Sequence, residues 1–277
     1  MSKRALLVGI NKYVTRPGSN LRGCCNDVVS IRDILLRIFG FKAEDVRVVT
    51  DERATKAAIM KRLRWLITTS TAGDNLYFHF SGHGSTIRDR SGDELSDGLD
   101  ELLCPTDINF DTTAILDDEL SYLLSALPKG VSLDVSLDAC HSGTSTRGGL
   151  FALPEIIATV STARFLAPPL DIQLRVDETL TLPVTKLALP RENNMDSMRH
   201  CLFAGCTDAQ TSADACIRGG YAGAFSFTLC EVLRATQGKI TRAELIAKVQ
   251  DGVKARGFFQ TPQLEGAGAL LGRGFLS

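Results

Sequence analysis

Two short segments contain the residue types that a nucleophilic reaction needs, a cysteine and a histidine set among small residues. The segment SGHGS (residues 81–85) follows one apolar run, and DACHSG (residues 138–143) follows the next. A thiolate attacks acyl carbon atoms, and an imidazole has an intrinsic pKa that suits a base that later acts as an acid. Backbone N–H groups at Gly84 and Cys140 could face a developing oxyanion. The pattern predicts acyl transfer through a thioester, with Cys140 as nucleophile and His83 as base.

Each of these residues also has an ordinary structural interpretation. A cysteine at a strand end is commonly a small buried hydrophobe, and a histidine between glycines is commonly a turn residue. Finding both at the ends of adjacent strands favours catalysis. His141 competes with His83 as the base, but it directly follows Cys140, and neighbouring side chains of an extended segment point to opposite faces. His79 lies inside an apolar run and is predicted to be a core or sheet-face residue.

The elements that must position these segments follow an alternating pattern. Short apolar runs alternate with stretches of helical periodicity, which predicts an α/β fold with a mostly parallel sheet flanked by helices. In such sheets, ligands bind beyond the carboxyl ends of the strands, where both segments would then lie. The strands of a six-stranded sheet are predicted at residues 5–10, 46–50, 75–80, 131–138, 201–205 and, for a short last strand, near 269–271. The helices are predicted at residues 28–38, with Asn26 as the N-cap, and at 55–69, 117–127, 223–234 and 241–253.

The chain has 277 residues, which is enough for one large domain with a buried core. Nothing in the sequence marks a domain boundary, so we predict a single domain over residues 1–277. Residues 144–199 interrupt the rhythm of strands and helices, because they contain five prolines and are of mixed polarity. A connection this long inside a compact domain is usually functional, and this segment is predicted to be a loop or insertion.

Composition and charge exclude several classes of protein. With 31 lysines and arginines against 32 aspartates and glutamates, the net charge of −1 gives no support for binding nucleic acid. No apolar run is long enough for a membrane span, and the short run after the first four residues is typical of a strand rather than of an export signal. The eight cysteines lack zinc-site spacing and are too widely spread for a disulfide framework. These features predict a cytoplasmic protein with reduced thiols and no membrane partner.

In combination, the two segments resemble the histidine and cysteine motifs of the caspase-fold cysteine peptidases (clan CD), most closely those of the metacaspases and their bacterial relatives. Further segments resemble that family in the same order along the chain: ALLVGINKY, LRGCCNDV, DGLDELLCPTD, ILDDEL, FAGCTDAQTSAD, GAFS and QTPQL. The resemblance covers nearly the whole chain. It implies a caspase-like fold and a cysteine endopeptidase with Cys140 as nucleophile, His83 as general base and acid, and no organic cofactor.

The resemblance also implies a substrate class, because metacaspases cleave after arginine or lysine, the residue called P1. Their acidic S1 pocket corresponds to Asp27 in GCCND and Asp138 in DAC. Cys24 and Ser81 lie beside these carboxylates in the family's pattern. Two converging carboxylates would pair with a cationic side chain and repel an acidic one. Without the resemblance, a helix first-turn residue is the favoured interpretation for Asp27, and a strand-end residue satisfied by turn N–H groups is favoured for Asp138.

Calcium is the metal that the resemblance suggests. Asp100, Asp117 and Asp118 match three of the positions at which many metacaspases bind calcium outside the catalytic centre. The fourth position falls in residues 144–149, which hold no carboxylate, and Arg147 there would oppose a cation. Calcium prefers about six to eight oxygen ligands, so the loss of one weakens the site. A weak calcium site and a solvated acidic loop are equal alternatives, and no cofactor is expected to be required.

The long insertion also suggests self-cleavage, because relatives are often cut in the loop that follows the nucleophile. The insertion carries several basic residues that a basic-specific enzyme could cut after: Arg164, Arg175, Lys186, Arg191 and Arg199. The alternative is an ordered insertion that shields the cleft.

Two other functions of the same fold stay open. One is a catalytically silent caspase-like module that binds proteins or senses calcium, and the other is an enzyme that cuts after another residue. The intact pair of Cys140 and His83 argues against the silent module. The expected partners are proteins or peptides with Arg or Lys at P1. Because metacaspases are mostly monomers, the resemblance favours a monomer over a dimer.

Overall fold

The computed structural model of the chain describes residues 1–88, 99–141, 161–174 and 198–277. The strands, in chain order, are β1 (Lys3–Gly9), β2 (Val46–Thr50), β3 (Asn75–Ser81), β4 (Gly84–Arg88), β5 (Leu99–Leu103), β6 (Ile115–Leu116), β7 (Ser132–Asp138), β8 (Ser161–Ala163), β9 (Cys201–Ala204), β10 (Ala213–Ile217), β11 (Gly220–Gly223) and β12 (Gln263–Glu265). The helices are α1 (Cys24–Arg37), α2 (Lys56–Thr68), α3 (Asp117–Ser125), α4 (Leu170–Gln173), α5 (Ala224–Thr236), α6 (Arg242–Ala255) and α7 (Gly268–Leu271).

A central sheet of six strands, in the order β12-β9-β7-β3-β1-β2, organises the described residues. The pairs β1–β2, β1–β3, β3–β7 and β7–β9 are parallel, and only the edge strand β12 runs antiparallel to its neighbour. Two smaller antiparallel sheets, β11-β10-β8 and β4-β5-β6, complete the strand pairing. The predicted α/β class, with a mostly parallel six-stranded sheet flanked by helices, is confirmed.

Helices cover both faces of the central sheet and bury a hydrophobic core on each. In β1, Leu6 and Val8 belong to the core that α2 and α3 cover, whereas Ala5 and Leu7 belong to the core under α1, α5 and α6. Both sets are fully buried, which explains why residues 5–8 of this strand are all apolar rather than alternating with polar residues. Among the described helices, none combines the length and apolarity that crossing a bilayer requires.

Two sequence-based predictions of the elements are wrong. Helix α1 begins at Cys24, so Asn26 lies inside its first turn and is not the N-cap. The cap comes instead from a distant residue, since the side-chain oxygen of Asn11 accepts hydrogen bonds from the backbone N–H groups of Cys24 and Cys25. The last strand is β12 rather than residues 269–271, which are helical, because β12 is the segment that pairs with β9.

The predicted insertion at residues 144–199 falls largely on residues 144–160 and 175–197, which lie outside the described part of the chain. The described part of the insertion, residues 161–174, contains β8 and α4. Strand β8 pairs with β10 in antiparallel fashion and so extends the small sheet beside the carboxyl edge of the central sheet. A segment that follows DACHSG in the chain therefore returns to the same edge.

The buried His79 makes folding stability depend on pH. It lies in β3 as predicted, its Nδ1 is 2.7 Å from Ser136 Oγ, and burial lowers its pKa to about 4. The unfolded chain binds a proton near the ordinary pKa of about 6.5, so stability from this group is lost as the pH falls from there towards 4. We expect this group to account for a loss of about 2 kcal/mol between about pH 7 and about pH 5.

Urea unfolding of wild type and His79→Gln at the two pH values measures that loss. The variant should lack this part of the pH dependence, so that the difference in unfolding free energy between the proteins narrows at the lower pH. Equal pH dependence in both proteins would contradict the prediction.

Candidate active site

The central sheet brings the histidine and cysteine segments to one edge. Ser81 of β3 is the register partner of Asp138 of β7, and each candidate residue follows its strand by two positions. His83 and Cys140 therefore leave neighbouring parallel strands at the same carboxyl edge. The chain after His83 passes so close to β7 that a Cβ at Gly84 would collide with the carbonyl oxygen of Cys140. Only glycine fits at this position.

The ring of His83 is oriented by a backbone carbonyl. Its Nε2 lies 2.7 Å from the carbonyl oxygen of Ser19, so Nε2 carries the proton and donates it. The buried Nδ1 has no hydrogen-bond partner among the described residues and is left as the proton acceptor. Burial lowers the pKa of His83 to about 4, which keeps the imidazole neutral at neutral pH. A neutral ring with a free acceptor nitrogen is suited to take a proton from a thiol.

The thiol of Cys140 is buried and lies against the backbone of Ser212. The backbone N–H of Ser212 donates a hydrogen bond to its Sγ. The neighbouring Cys140, followed by burial, raises the pKa of Cys206, whose thiol donates to the carbonyl oxygens of Ala139 and Gln210. Cys206 therefore stays protonated beside the nucleophile candidate. Donors that point at a sulfur atom stabilise negative charge on it, as a nucleophilic thiolate requires.

Two backbone N–H groups converge on one carbonyl oxygen beside this thiol. The N–H groups of Gly84 and Cys140 both donate to the oxygen of Arg164, at 3.0 and 3.3 Å. These are the two groups that the sequence predicted as donors to an oxyanion. A carbonyl in this position is polarised by both bonds, and negative charge that develops on its oxygen would be stabilised.

The side chain of Arg164 fills an acidic pocket next to the thiol. Its guanidinium is completely buried and pairs with Asp27 at 2.8 Å, with Asp138 at 3.0 Å and with Asp214 at 3.0 Å. Burial disfavours the charged guanidinium, but the three carboxylates outweigh that effect and raise the pKa of Arg164. The structure thus brings the two predicted aspartates together around one cation, and that cation belongs to the chain itself.

Hydrogen bonds fix the carboxylates of this pocket. The hydroxyl of Ser81 donates to Asp27 at 2.7 Å and accepts from Arg164 at 2.8 Å. Asp138 accepts from the hydroxyls of Ser212, at 2.5 Å, and Ser226, at 2.6 Å. Partners other than Arg164 therefore also hold these carboxylates in place around the guanidinium.

The structure places Cys24 beside the pocket and adds Asp214, which sequence reasoning missed. Cys24 is buried at the start of α1, where the charges of Arg164 and Asp214 act on its thiol. Asp214 lies on β10, and its carboxylate accepts the backbone N–H groups of Arg22 and Gly23. No motif in the sequence marks it as a pocket residue, because it reaches the site only through the position of β10 beside the start of α1.

The three candidate calcium ligands do not form a metal site in the described residues. Burial, followed by the neighbouring carboxylates of Asp118, Glu101 and Asp100, raises the pKa of Asp117 to about 7. Carboxylate oxygens are the ligands that calcium prefers, but no group of three or more His, Cys, Asp or Glu side chains among the described residues could hold a metal ion. We therefore derive no step through calcium, and its binding stays a prediction.

Comparisons with known proteins identify the family of this chain. A family model for the metacaspase, peptidase C14 domain matches residues 3–147. Metacaspase-1 of Schizosaccharomyces pombe is 31% identical over 289 residues, which cover 95% of this chain and 66% of that protein. Metacaspase-1 of Ajellomyces capsulatus is 31% identical over 290 residues, which cover 95% of this chain and 79% of that protein. The chain spans less than two thirds of the length of several such relatives.

Solved structures agree on the fold. The crystal structure of a Geobacter sulfurreducens protein has a TM-score of 0.72 at 24% identity and covers 100% of this chain and 99% of its own. That of Caspase-1 from Spodoptera frugiperda has a TM-score of 0.54 at 15% identity and covers 96% of this chain and 86% of its own. The predicted caspase-like fold is therefore confirmed, and the chain belongs to the metacaspase family.

Proposed function

We propose that the chain is a cysteine endopeptidase that cleaves after arginine or lysine and that it cuts itself between Arg164 and Phe165. One observation supports this most directly: Arg164 lies in the site as a P1 residue would. Its guanidinium pairs with three carboxylates, its carbonyl oxygen accepts from Gly84 and Cys140, and its N–H donates to Ser212 at 3.0 Å. All three polar parts of a P1 residue thus have partners.

The residues around this carbonyl suffice for a complete reaction. Nδ1 of His83 takes the proton of the Cys140 thiol, and the sulfur attacks the carbonyl carbon while two N–H groups stabilise the oxyanion. The C–N bond then breaks as His83 returns the proton to the leaving amine, which leaves a thioester. A water molecule, deprotonated by His83, hydrolyses the thioester and restores the thiol.

The geometry of the pocket favours arginine over lysine. One terminal nitrogen of the guanidinium reaches both Asp27 and Asp214, and the other reaches Asp138. An ammonium group is a single point charge and cannot span this set of acceptors, so one buried carboxylate would lose its partner. An acidic P1 side chain would add a fourth negative charge to a closed pocket and is therefore excluded.

A panel of fluorogenic peptides that differ only at P1 tests the proposal. We expect the arginine peptide to be cleaved about tenfold faster than the lysine peptide, and the aspartate peptide not at all. Cys140→Ala should abolish all cleavage, and the wild type should be assayed with calcium and with a chelator to test the metal prediction. Preferred cleavage of the aspartate peptide would overturn the assignment of Asp27 and Asp138.

A thiol-reactive arginine peptide separates the enzyme from a silent module of the same fold. An arginyl acyloxymethyl ketone should become covalently attached to Cys140, as intact-mass and peptide-mapping measurements would reveal. The matched ketone with aspartate in place of arginine should leave the chain unmodified. If neither reagent labels Cys140 and no peptide is cleaved, the silent module is the correct interpretation.

A further inference from the structure

The contacts of the self-bound segment do not end at the bond after Arg164. Leu166, the second residue beyond that bond, donates its backbone N–H to the oxygen of Gly84 at 3.0 Å. Its carbonyl oxygen accepts a hydrogen bond from the Ser85 hydroxyl at 2.6 Å, and Ser85 is fully buried. The segment thus runs alongside the start of β4, with a parallel bridge between Gly84 and Phe165. Both polar groups of the Leu166 backbone are satisfied by this contact.

The side chain of Leu166 is buried, unlike those on the other side of Arg164. Leu166 is 6% exposed and belongs to the hydrophobic core that also contains Ile87 of β4 and Leu102 of β5. Before Arg164, β8 is held by backbone pairing with β10, and its middle residue Thr162 is exposed. Backbone pairing accepts any sequence, whereas burial of a side chain selects for size and polarity. Apart from the P1 residue, the site should therefore select the side chain of the second residue after the cleaved bond.

We propose that the site selects a large apolar side chain at P2′, the second residue after the cleaved bond, and that Ser85 positions the backbone of that residue. This rests on the proposed endopeptidase function and deepens it. In a substrate cleaved in trans, the P2′ side chain would occupy the place of Leu166, and the P2′ carbonyl would accept the Ser85 hydroxyl. Ser85 is a positioning residue, because it touches the substrate backbone away from the reacting atoms.

Quenched fluorescent peptides measure this selection with the full chain. The parent peptide STARFLAP copies the self-bound segment, a second has Asp in place of its Leu at P2′, and a control has Asp in place of its Thr at P3. The two variant peptides carry the same net charge, but one replaces the apolar Leu at P2′ and the other the polar Thr at P3. We expect the P2′ change to lower kcat/KM by about tenfold to a hundredfold, the range that burial of a leucine allows, and the P3 change by less than about threefold. Ratios of kcat/KM cancel the fraction of sites that the chain's own segment occupies.

Ser85→Ala tests the positioning role separately. It should lower kcat/KM for STARFLAP about fivefold relative to kcat/KM for an arginyl peptide that ends in a coumarin amide and has no P2′ residue. Thr86→Ala, which removes a hydroxyl from the next residue of the same strand, should leave that ratio at its wild-type value. A merely structural role of Ser85 would lower both rates equally and would overturn the positioning proposal.

The outcomes distinguish this proposal from the function on which it rests. Cleavage of the parent and P2′ peptides at equal rates would overturn the P2′ proposal while leaving the arginine-specific endopeptidase intact. A larger loss from the P3 change than from the P2′ change would also overturn it. If none of the peptides is cleaved, with calcium or without, both the function and the P2′ proposal are wrong.

Discussion

Purified chain incubated alone is expected to split into residues 1–164 and 165–277, and Cys140→Ala is expected to stay intact. The scissile carbonyl of Arg164 already accepts hydrogen bonds from Gly84 and Cys140, so the cut needs no diffusional encounter. Loss of the nucleophilic sulfur should slow the cut by at least about a thousandfold. Intact mass spectrometry over time measures the fragments, and the rate constant should be independent of protein concentration.

Substitutions of basic residues in the same insertion provide the matched controls. Arg164→Gln should abolish the cut, and Arg164→Lys should retain it at a lower rate. Arg199→Gln removes a guanidinium that donates to the carbonyl of Leu127, far from the acidic pocket, and should leave the cut unchanged. Fragments that end at another basic residue, or fragments that still form from Cys140→Ala, would contradict cleavage after Arg164 by the chain itself.

Asp138→Asn is expected to lower kcat/KM for arginine peptides by about a hundredfold to a thousandfold. Asp138 supplies one of the charges around the buried guanidinium, and breaking such a pair costs about 2–5 kcal/mol. The amide would also place a donor where the carboxylate accepts from Ser212 and Ser226. The effect on charge recognition is measured as the ratio of kcat/KM for two peptides, one with arginine at P1 and one with citrulline, the uncharged isostere of arginine. The preference for arginine over citrulline should collapse in the variant.

Asp134→Asn is the matched control, because Asp134 lies on the same strand in a buried ion pair with Arg242. This pair is remote from the thiol and from Arg164. The control should lower the free energy of unfolding by about 3–5 kcal/mol without changing the preference for arginine over citrulline. If Asp138→Asn keeps the wild-type preference, Asp138 acts in stability alone and the pocket assignment is wrong.

The positions of the strands that carry the site could be predicted because the sequence of each strand, taken alone, is typical of a strand. Five of the six sheet strands were predicted to within two residues, since each is rich in apolar residues and ends at a glycine-rich or polar turn. The edge strand β12 was not, because it is three residues long and only half buried. The cap of α1 was also missed, since Asn11 reaches the helix from thirteen residues upstream in the chain.

The identity of the bound basic residue could not be predicted from the sequence. Several arginines and a lysine in the insertion have a cationic side chain that could pair with the carboxylates of the pocket. The register of β8 on β10 decides which one enters the pocket. Asp214 was missed for the same reason, because it is the register partner of Thr162 in that pairing. Ser19 was missed because a backbone carbonyl carries no sequence signal. Contacts between segments far apart in the chain therefore decide all three.

The pairing of β8 with β10 would keep the carboxyl terminus that a cut after Arg164 creates close to the active site. If the chain is cut after Arg164 as proposed, the new carboxyl terminus would stay joined through the chain to Cys140 and could keep the guanidinium contacts and strand pairing of the uncut chain. A ligand held on such a tether has an effective concentration on the order of millimolar. The enzyme would thus be inhibited by its own product, and an added protein substrate would be turned over only by the fraction of molecules whose site this terminus has left.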